Sequence, residues 1–232
     1  MDQSTHRQSG EVFPPLDLRH RLRLYLVTDS RWLAGRSLAD VVRQAIEGGV
    51  TCVQFREKNV YAPLNPKERR QQAILVRDVC RRYSVPFLVD DDVDLAARVD
   101  ADGVHIGQSD ATVHAARAVL GRDKIIGVSA QTPQQALDAQ ESGADYLGVG
   151  ALFATSSKDD AATVSFSTLH EICHAVRIPV VAIGGISPDN VAFLADSGIA
   201  GISVISAIMA APDISTAARK LDRLVQHMIP EA

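Results

Sequence analysis

Three consecutive carboxylates, Asp90, Asp91 and Asp92, close a short apolar run, Phe87–Val89, and a further acid, Asp110, follows a second run, Val104–Ile106. Acids placed where buried strands end are costly unless they stay solvated, cap a helix or hold a cation. If the two runs are neighbouring strands, Asp91 and Asp110 can share one hard cation. Mg2+ takes one or two protein carboxylates and fills its remaining positions with water and phosphate oxygens.

Other residues of functional type occupy matching positions. Gln54, Arg56 and Lys58 end the run that starts at Val50, and Arg56 and Lys58 alternate with Glu57. An extended backbone would put both cations on one side, where they could bind a dianionic group, Arg56 through its planar fork. Ala154-Thr155-Ser156-Ser157-Lys158 offers hydroxyls and an ammonium that suit phosphate oxygens, and it also reads as a hydroxyl-rich surface loop. Gly184-Gly185 and Ser206 could supply backbone N–H groups to a phosphate, although a tight turn would also use the glycines. His105 sits inside an apolar run and reads as a packed core residue. Ser129 and Asp145 belong to no nucleophile arrangement, because neither a GxSxG elbow nor a nearby histidine base accompanies them. Cations, paired carboxylates and a phosphate cup without a nucleophile point to phosphorylated substrates rather than acyl transfer.

The elements that must position these groups repeat with a simple rhythm. Short, continuously apolar strands are predicted at Leu22–Thr28, Val50–Phe55, Phe87–Val89, Val104–Ile106, Lys124–Ser129, Tyr146–Val149, Pro179–Ile183 and Gly201–Ile205. Amphipathic helices are predicted between and after them, at Leu38–Gly48, Lys67–Tyr83, a short stretch from Val93, Thr112–Leu120, Pro133–Ser142, Ser167–Val176, Pro188–Ser197 and Ser215–Met228. Alternation at this spacing suits βαβ crossovers, and the count favours a closed TIM (β/α)8 barrel over an open doubly wound sheet. No GxGxxG fingerprint follows the first strand, and glycines gather instead near the last strands, where barrels often seat a phosphate. One barrel over residues 21–232 is expected, with residues 1–20 a flexible N-terminal tail jointed at Pro14-Pro15.

Composition agrees with that class. The chain has 232 residues, 46% hydrophobic and 22% charged, enough for a sizeable core. Its net charge of −4 gives no broad basic field for nucleic acid or an anionic membrane, and no apolar run reaches the ~18 residues of a membrane span. Three separated cysteines form neither a disulfide framework nor a CxxC zinc site, and the polar opening residues lack the apolar centre of a signal peptide, so a cytoplasmic location is expected. A homo-oligomer is compatible with the sequence, which does not specify one.

Several motifs together resemble those of the thiamine-phosphate synthase family. They are Gln54-Phe55-Arg56-Glu57-Lys58, the stretch Asp102 to Asp110, Gly127-Val128-Ser129, the stretch Gly143 to Gly150, Thr155-x-Ser157-Lys158 and Val181 to Ile186. The likeness covers about residues 22–220 in matching order. It implies a barrel that joins a hydroxymethylpyrimidine diphosphate to a thiazole phosphate with Mg2+, releasing pyrophosphate. By position, Gln54, Phe55, Arg56, Glu57, Lys58, Asp90, Ser129 and Lys158 would contact the pyrimidine diphosphate, and Asp91 and Asp110 would hold Mg2+. Thr155, Ser157, Gly185, Ile205 and Ser206 would bind the thiazole phosphate, with Ser156 in the same loop. Catalysis would fall to Arg56, Lys58, Ser129 and Lys158.

Three positions depart from the resembled pattern. Asp90 stands where the family usually has Asn, Ala154 replaces a proline, and Gln131 replaces a histidine. Thiazole tautomerases share this barrel, but their proton-transferring histidine aligns with Gln131, and glutamine shuttles no proton at neutral pH. A non-catalytic relative that binds thiamine phosphate is the other alternative.

Overall fold

Strand after strand of this chain is buried on both faces, and only a closed, helix-covered sheet satisfies that pattern. In the computed structural model, which describes residues 15–58, 63–154 and 163–229, the strands are β1 (Leu24–Val27), β2 (Cys52–Phe55), β3 (Phe87–Asp90), β4 (Gly103–Ile106), β5 (Ile125–Ala130), β6 (Tyr146–Val149), β7 (Val180–Ile183) and β8 (Gly201–Val204). All pair in parallel in chain order, and β8 returns to β1, so the sheet is a closed TIM-type barrel.

Helices α2 (Leu38–Glu47), α3 (Pro66–Arg82), α4 (Val93–Arg98), α5 (Val113–Leu120), α6 (Pro133–Glu141), α7 (Phe166–Ala175) and α9 (Ile214–Met228) clothe the barrel, and α8 (Ser206–Met209) is a single turn after β8. Local chemistry sets where they begin. Asn65 and Glu68 form a reciprocal capping box on α3, and Thr112, Thr132, Ser165 and Asp213 accept backbone N–H groups at the starts of α5, α6, α7 and α9.

Strand parity divides the core. Leu24, Leu26, Val53, Phe55, Phe87, Val89, Val104 and Ile106 pack outward against the helices. Tyr25, Val27, Cys52, Leu88, Ile125, Tyr146 and Val181 form a separate inner cluster. At the level above that cluster the register aligns Asp90 with His105, His105 with Gly127, and Ser129 with Gly148. The inner wall therefore turns from apolar to polar toward the C-terminal ends of the strands, the face where barrels react.

Two expectations need correction. Residues 15–20, expected within a flexible tail, belong to helix α1 (Pro15–Arg21), and Leu18 and Leu22 join the inner cluster at the N-terminal end of the barrel. Residues 1–14 lie outside the described residues. The helix expected at Pro188–Ser197 is a single 3-10 turn, Val191–Leu194. Side chains take the backbone donors there: Asn190 Oδ1 accepts from Ser187 N and Ser187 Oγ accepts from Asp189 N, a competition that favours turns over helix. Asp196 and Gly198, both at positive φ, end the turn.

Candidate active site

Because successive side chains of a strand face opposite ways, the run after β2 sorts itself. Gln54, Arg56 and Lys58 line a cavity of about 430 Å³ at the C-terminal mouth of the barrel. Phe55 and Glu57 do not: Phe55 is fully buried in the outer layer beside Phe87, and Glu57 accepts a hydrogen bond from Ser30 Oγ at 2.7 Å. Of residues 54–58, all expected at the substrate, the alternate three line the cavity, and Phe55 and Glu57 turn their side chains elsewhere. Also on the cavity wall are Asp90, Asp91, His105, Gln108, Asp110, Ser129, Gln131, Gly184, Gly185, Ile205 and Ser206. Thr155, Ser156, Ser157 and Lys158 lie outside the described residues.

The cations are anchored before any ligand arrives. Arg56 is clipped to the first strand-end by reciprocal bonds with Thr28, its N donating to Thr28 Oγ1 at 3.0 Å and its O accepting from that hydroxyl at 3.1 Å. Its Nη1 donates to the fully buried Asp29 at 3.0 Å, and Arg31 donates to the same carboxylate. Lys58 pairs with Asp91 and lies 3.4 Å from Asp90 Oδ2. Burial works against the Lys58 ammonium, but the hydrogen bond to Asp91 and the charges of Asp90 and Asp91 outweigh it and hold its pKa above that of an ordinary lysine.

The acids divide by environment. Asp92 caps α4 through Leu95 N and pairs with Arg69, and Asp102 accepts from Phe87 N. Asp100 pairs with Arg81 and Lys124 on the surface. Those three are structural. Asp91 sits at φ +59, a left-handed conformation that Asp tolerates better than most residues, and its N–H donates to His105 O at 2.8 Å. Asp110 Oδ2 accepts from Gly107 N at 2.7 Å, which fixes the carboxylate on the neighbouring loop. Asp90 is nearly buried, and its Oδ2 has no hydrogen-bond partner among the described residues.

Opposite the acids, Gly184 and Gly185 adopt φ +100 and +64. A Cβ on Gly184 would lie 2.5 Å from Ala151 Cα, and one on Gly185 would lie 2.5 Å from Ala154 O. These glycines therefore serve first to seat the start of the loop after β6, and Gly185 still lines the cavity beside Ile205 and Ser206. The turn α8 begins there, so its first backbone N–H groups have no intrahelical acceptor.

Sequence reasoning missed the floor of the site. His105, set aside as a core residue, lines the cavity and contacts Ser129 Oγ through Nε2 at 3.0 Å and Tyr146 Oη through Nδ1 at 2.8 Å. Tyr25, Tyr146 and Ser203 also face the cavity. Their signal was parity: each occupies an inward position of its strand, where a polar group among apolar neighbours stands out once the barrel is accepted.

Comparison with known proteins converges on one family. A model described as thiamine monophosphate synthase matches residues 24–208. The thiamine-phosphate synthase of Ruminiclostridium cellulolyticum is 48% identical over 85% of this chain and 92% of its own, and that of Clostridium tetani is 49% identical over 85% and 93%. The solved thiamine phosphate pyrophosphorylase of Pyrococcus furiosus superposes with a TM-score of 0.83 at 40% identity, over 92% of this chain and all of that one.

Proposed function

The chain belongs to the thiamine monophosphate synthase family, and from that premise we propose how the barrel mouth carries out the reaction. The reaction couples 4-amino-2-methyl-5-(diphosphooxymethyl)pyrimidine with 4-methyl-5-(2-phosphooxyethyl)thiazole, giving thiamine phosphate and pyrophosphate. The observation that carries the reading is the meeting of Arg56 and Lys58 with Asp91 and Asp110 on one cavity wall.

Arg56 and Lys58 bind the diphosphate, Arg56 from a fixed seat on Asp29 and Lys58 after leaving its carboxylate partners. Asp91 and Asp110 fit a magnesium ion. They come from adjacent strand ends, and among the described residues no cluster of three or more His, Cys, Asp or Glu forms a richer cage. When bound, Mg2+ supplies positive charge to the diphosphate oxygens. Cations preorganised around a leaving group favour early cleavage of its C–O bond, so that the electron-rich aminopyrimidine carries positive charge at its methylene carbon until the thiazole nitrogen adds. No protein nucleophile is required. Gly185, Ile205 and Ser206, with Thr155 and Ser157 and with Ser156 of the same stretch, bind the thiazole phosphate, Lys158 adds its charge to the diphosphate, and Gln54, Asp90 and Ser129 orient the pyrimidine.

Gln131 lines the cavity without a titratable group, which leaves the tautomerase alternative no proton carrier at that position. The reading places the enzyme in the cytoplasm, with small phosphorylated molecules as partners, and is compatible with a monomer or a homo-oligomer. Pyrophosphate release by the purified chain, followed with both substrates and with Mg2+ either present or chelated, tests it. Release that persists under chelation, or that needs only one substrate, would sink it.

A further inference from the structure

A chain of hydrogen bonds crosses the barrel beneath the reaction site. Gln54 Nε2 donates to Tyr25 Oη at 2.8 Å, Tyr25 Oη meets Tyr146 Oη at 2.9 Å, Tyr146 Oη meets His105 Nδ1 at 2.8 Å, and His105 Nε2 meets Ser129 Oγ at 3.0 Å. Both phenols are sealed, Tyr25 at 2% exposure and Tyr146 at 0%, and burial pushes the pKa of each well above the ordinary phenol value. Each therefore keeps one proton, and fixing one end of the chain fixes the direction of all its bonds.

Resting on the functional reading above, we infer that Gln54, Tyr25 and Tyr146 hold His105 as its neutral Nε2–H tautomer, so that the Ser129 oxygen is satisfied from behind and its proton is directed at the substrate. Tyr25 and Tyr146 are then positioning residues for the coupling reaction. The direction follows from the donating end. An amide N–H can only donate, so Tyr25 turns its proton to Tyr146, Tyr146 turns its own to His105 Nδ1, and the ring proton is left on Nε2. The same commitment leaves Gln54 Oε1 for the ligand, an acceptor suited to an exocyclic amino group.

The strands are built around this chain. A Cβ on Gly127 would stand 2.1 Å from Tyr146 Cζ, and one on Gly148 would stand 2.9 Å from His105 Cε1. Any larger residue at those positions would displace the ring that sets the tautomer. Packing alone would be met equally well by phenylalanine at 146, which separates a positioning role from a structural one.

The test has two arms on the full chain. Imidazole 15N–13C NMR of the wild type, with His105 assigned by the signal lost in His105→Asn, reads the tautomer directly, and Nε2–H is expected. Steady-state kinetics then compare Tyr146→Phe, Ser129→Ala and the double variant. Tyr146→Phe should lower kcat about tenfold with KM for both substrates within about twofold, and the double variant should be no slower than Ser129→Ala, because the tyrosine acts through the serine. An Nδ1–H tautomer, or losses that multiply in the double variant, overturns the inference even when the wild type couples its substrates. A wild type that fails to couple them overturns the functional reading, and the NMR arm still decides the tautomer.

Discussion

The ammonium of Lys58 lies 3.4 Å from Oδ2 of Asp90, a buried carboxylate oxygen with no hydrogen-bond partner among the described residues. The cation assigned to the diphosphate is thus engaged by an acid at the place where that diphosphate must arrive. A like charge at such range is worth about 1 kcal/mol against an incoming anion in a solvated mouth. Asp90→Asn keeps the shape and removes the charge, so KM for the pyrimidine diphosphate should fall about three- to tenfold with kcat little changed. A rise in that KM would show that the carboxylate helps binding instead.

Lys58 also pairs with Asp91, so the metal and the lysine compete for one carboxylate. Asp91→Ala should lower kcat/KM by about 100-fold or more and weaken the response to Mg2+, and Asp110→Ala should act in the same direction. Magnesium titrations of initial rate check this. Unchanged half-saturation by Mg2+ in both variants would remove these acids from the metal site.

The raised pKa of Lys58 fixes the sign of a pH effect. A lysine raised in the folded state contributes its stabilisation fully below its unfolded value of about 10.4 and loses it only as pH climbs through the higher folded value. No limb of the pH–rate profile below about pH 10 should then belong to Lys58, and Asp91→Asn should bring its loss to lower pH. Profiles of kcat/KM for the two proteins measure the difference.

Leu22 is fully buried at the N-terminal end of the barrel, in the cluster that contains Tyr25 and Tyr146. Leu22→Ala should cost about 2–5 kcal/mol of stability through the cavity it leaves. Thermal denaturation should show Tm falling by about 2–4 °C per kcal/mol, as expected for a domain of this size. An unaltered Tm would mean that α1 and Leu22 merely rest on a barrel already closed.

Much of this architecture was legible because two periods run through the chain. Apolar runs such as Phe87–Val89 and Tyr146–Val149 had no polar face to expose, and the amphipathic stretch Leu38–Gly48 had one, so a barrel wrapped in helices was the simplest arrangement. The same parity, applied residue by residue, turns the side chains of Phe55 and Glu57 away from the cavity and those of Gln54, Arg56 and Lys58 toward it. What stayed hidden depended on partners remote in sequence. His105 and Tyr146 stand 41 positions apart, and each alone reads as a core aromatic. Asp91 and Asp92 are identical in type, but only the first takes the left-handed turn into the cavity, whereas the second caps a helix. The helix expected at Pro188–Ser197 failed because Ser187 and Asn190 spend their side chains on the backbone, a local competition that apolar periodicity does not register.

The most direct test of the account is 31P NMR of a reaction containing purified enzyme, Mg2+, the pyrimidine diphosphate and the thiazole phosphate. The account predicts that thiamine phosphate and pyrophosphate appear together in equal amounts, and that neither forms when one substrate is withheld. Pyrophosphate or orthophosphate released from the diphosphate alone at a comparable rate would contradict it.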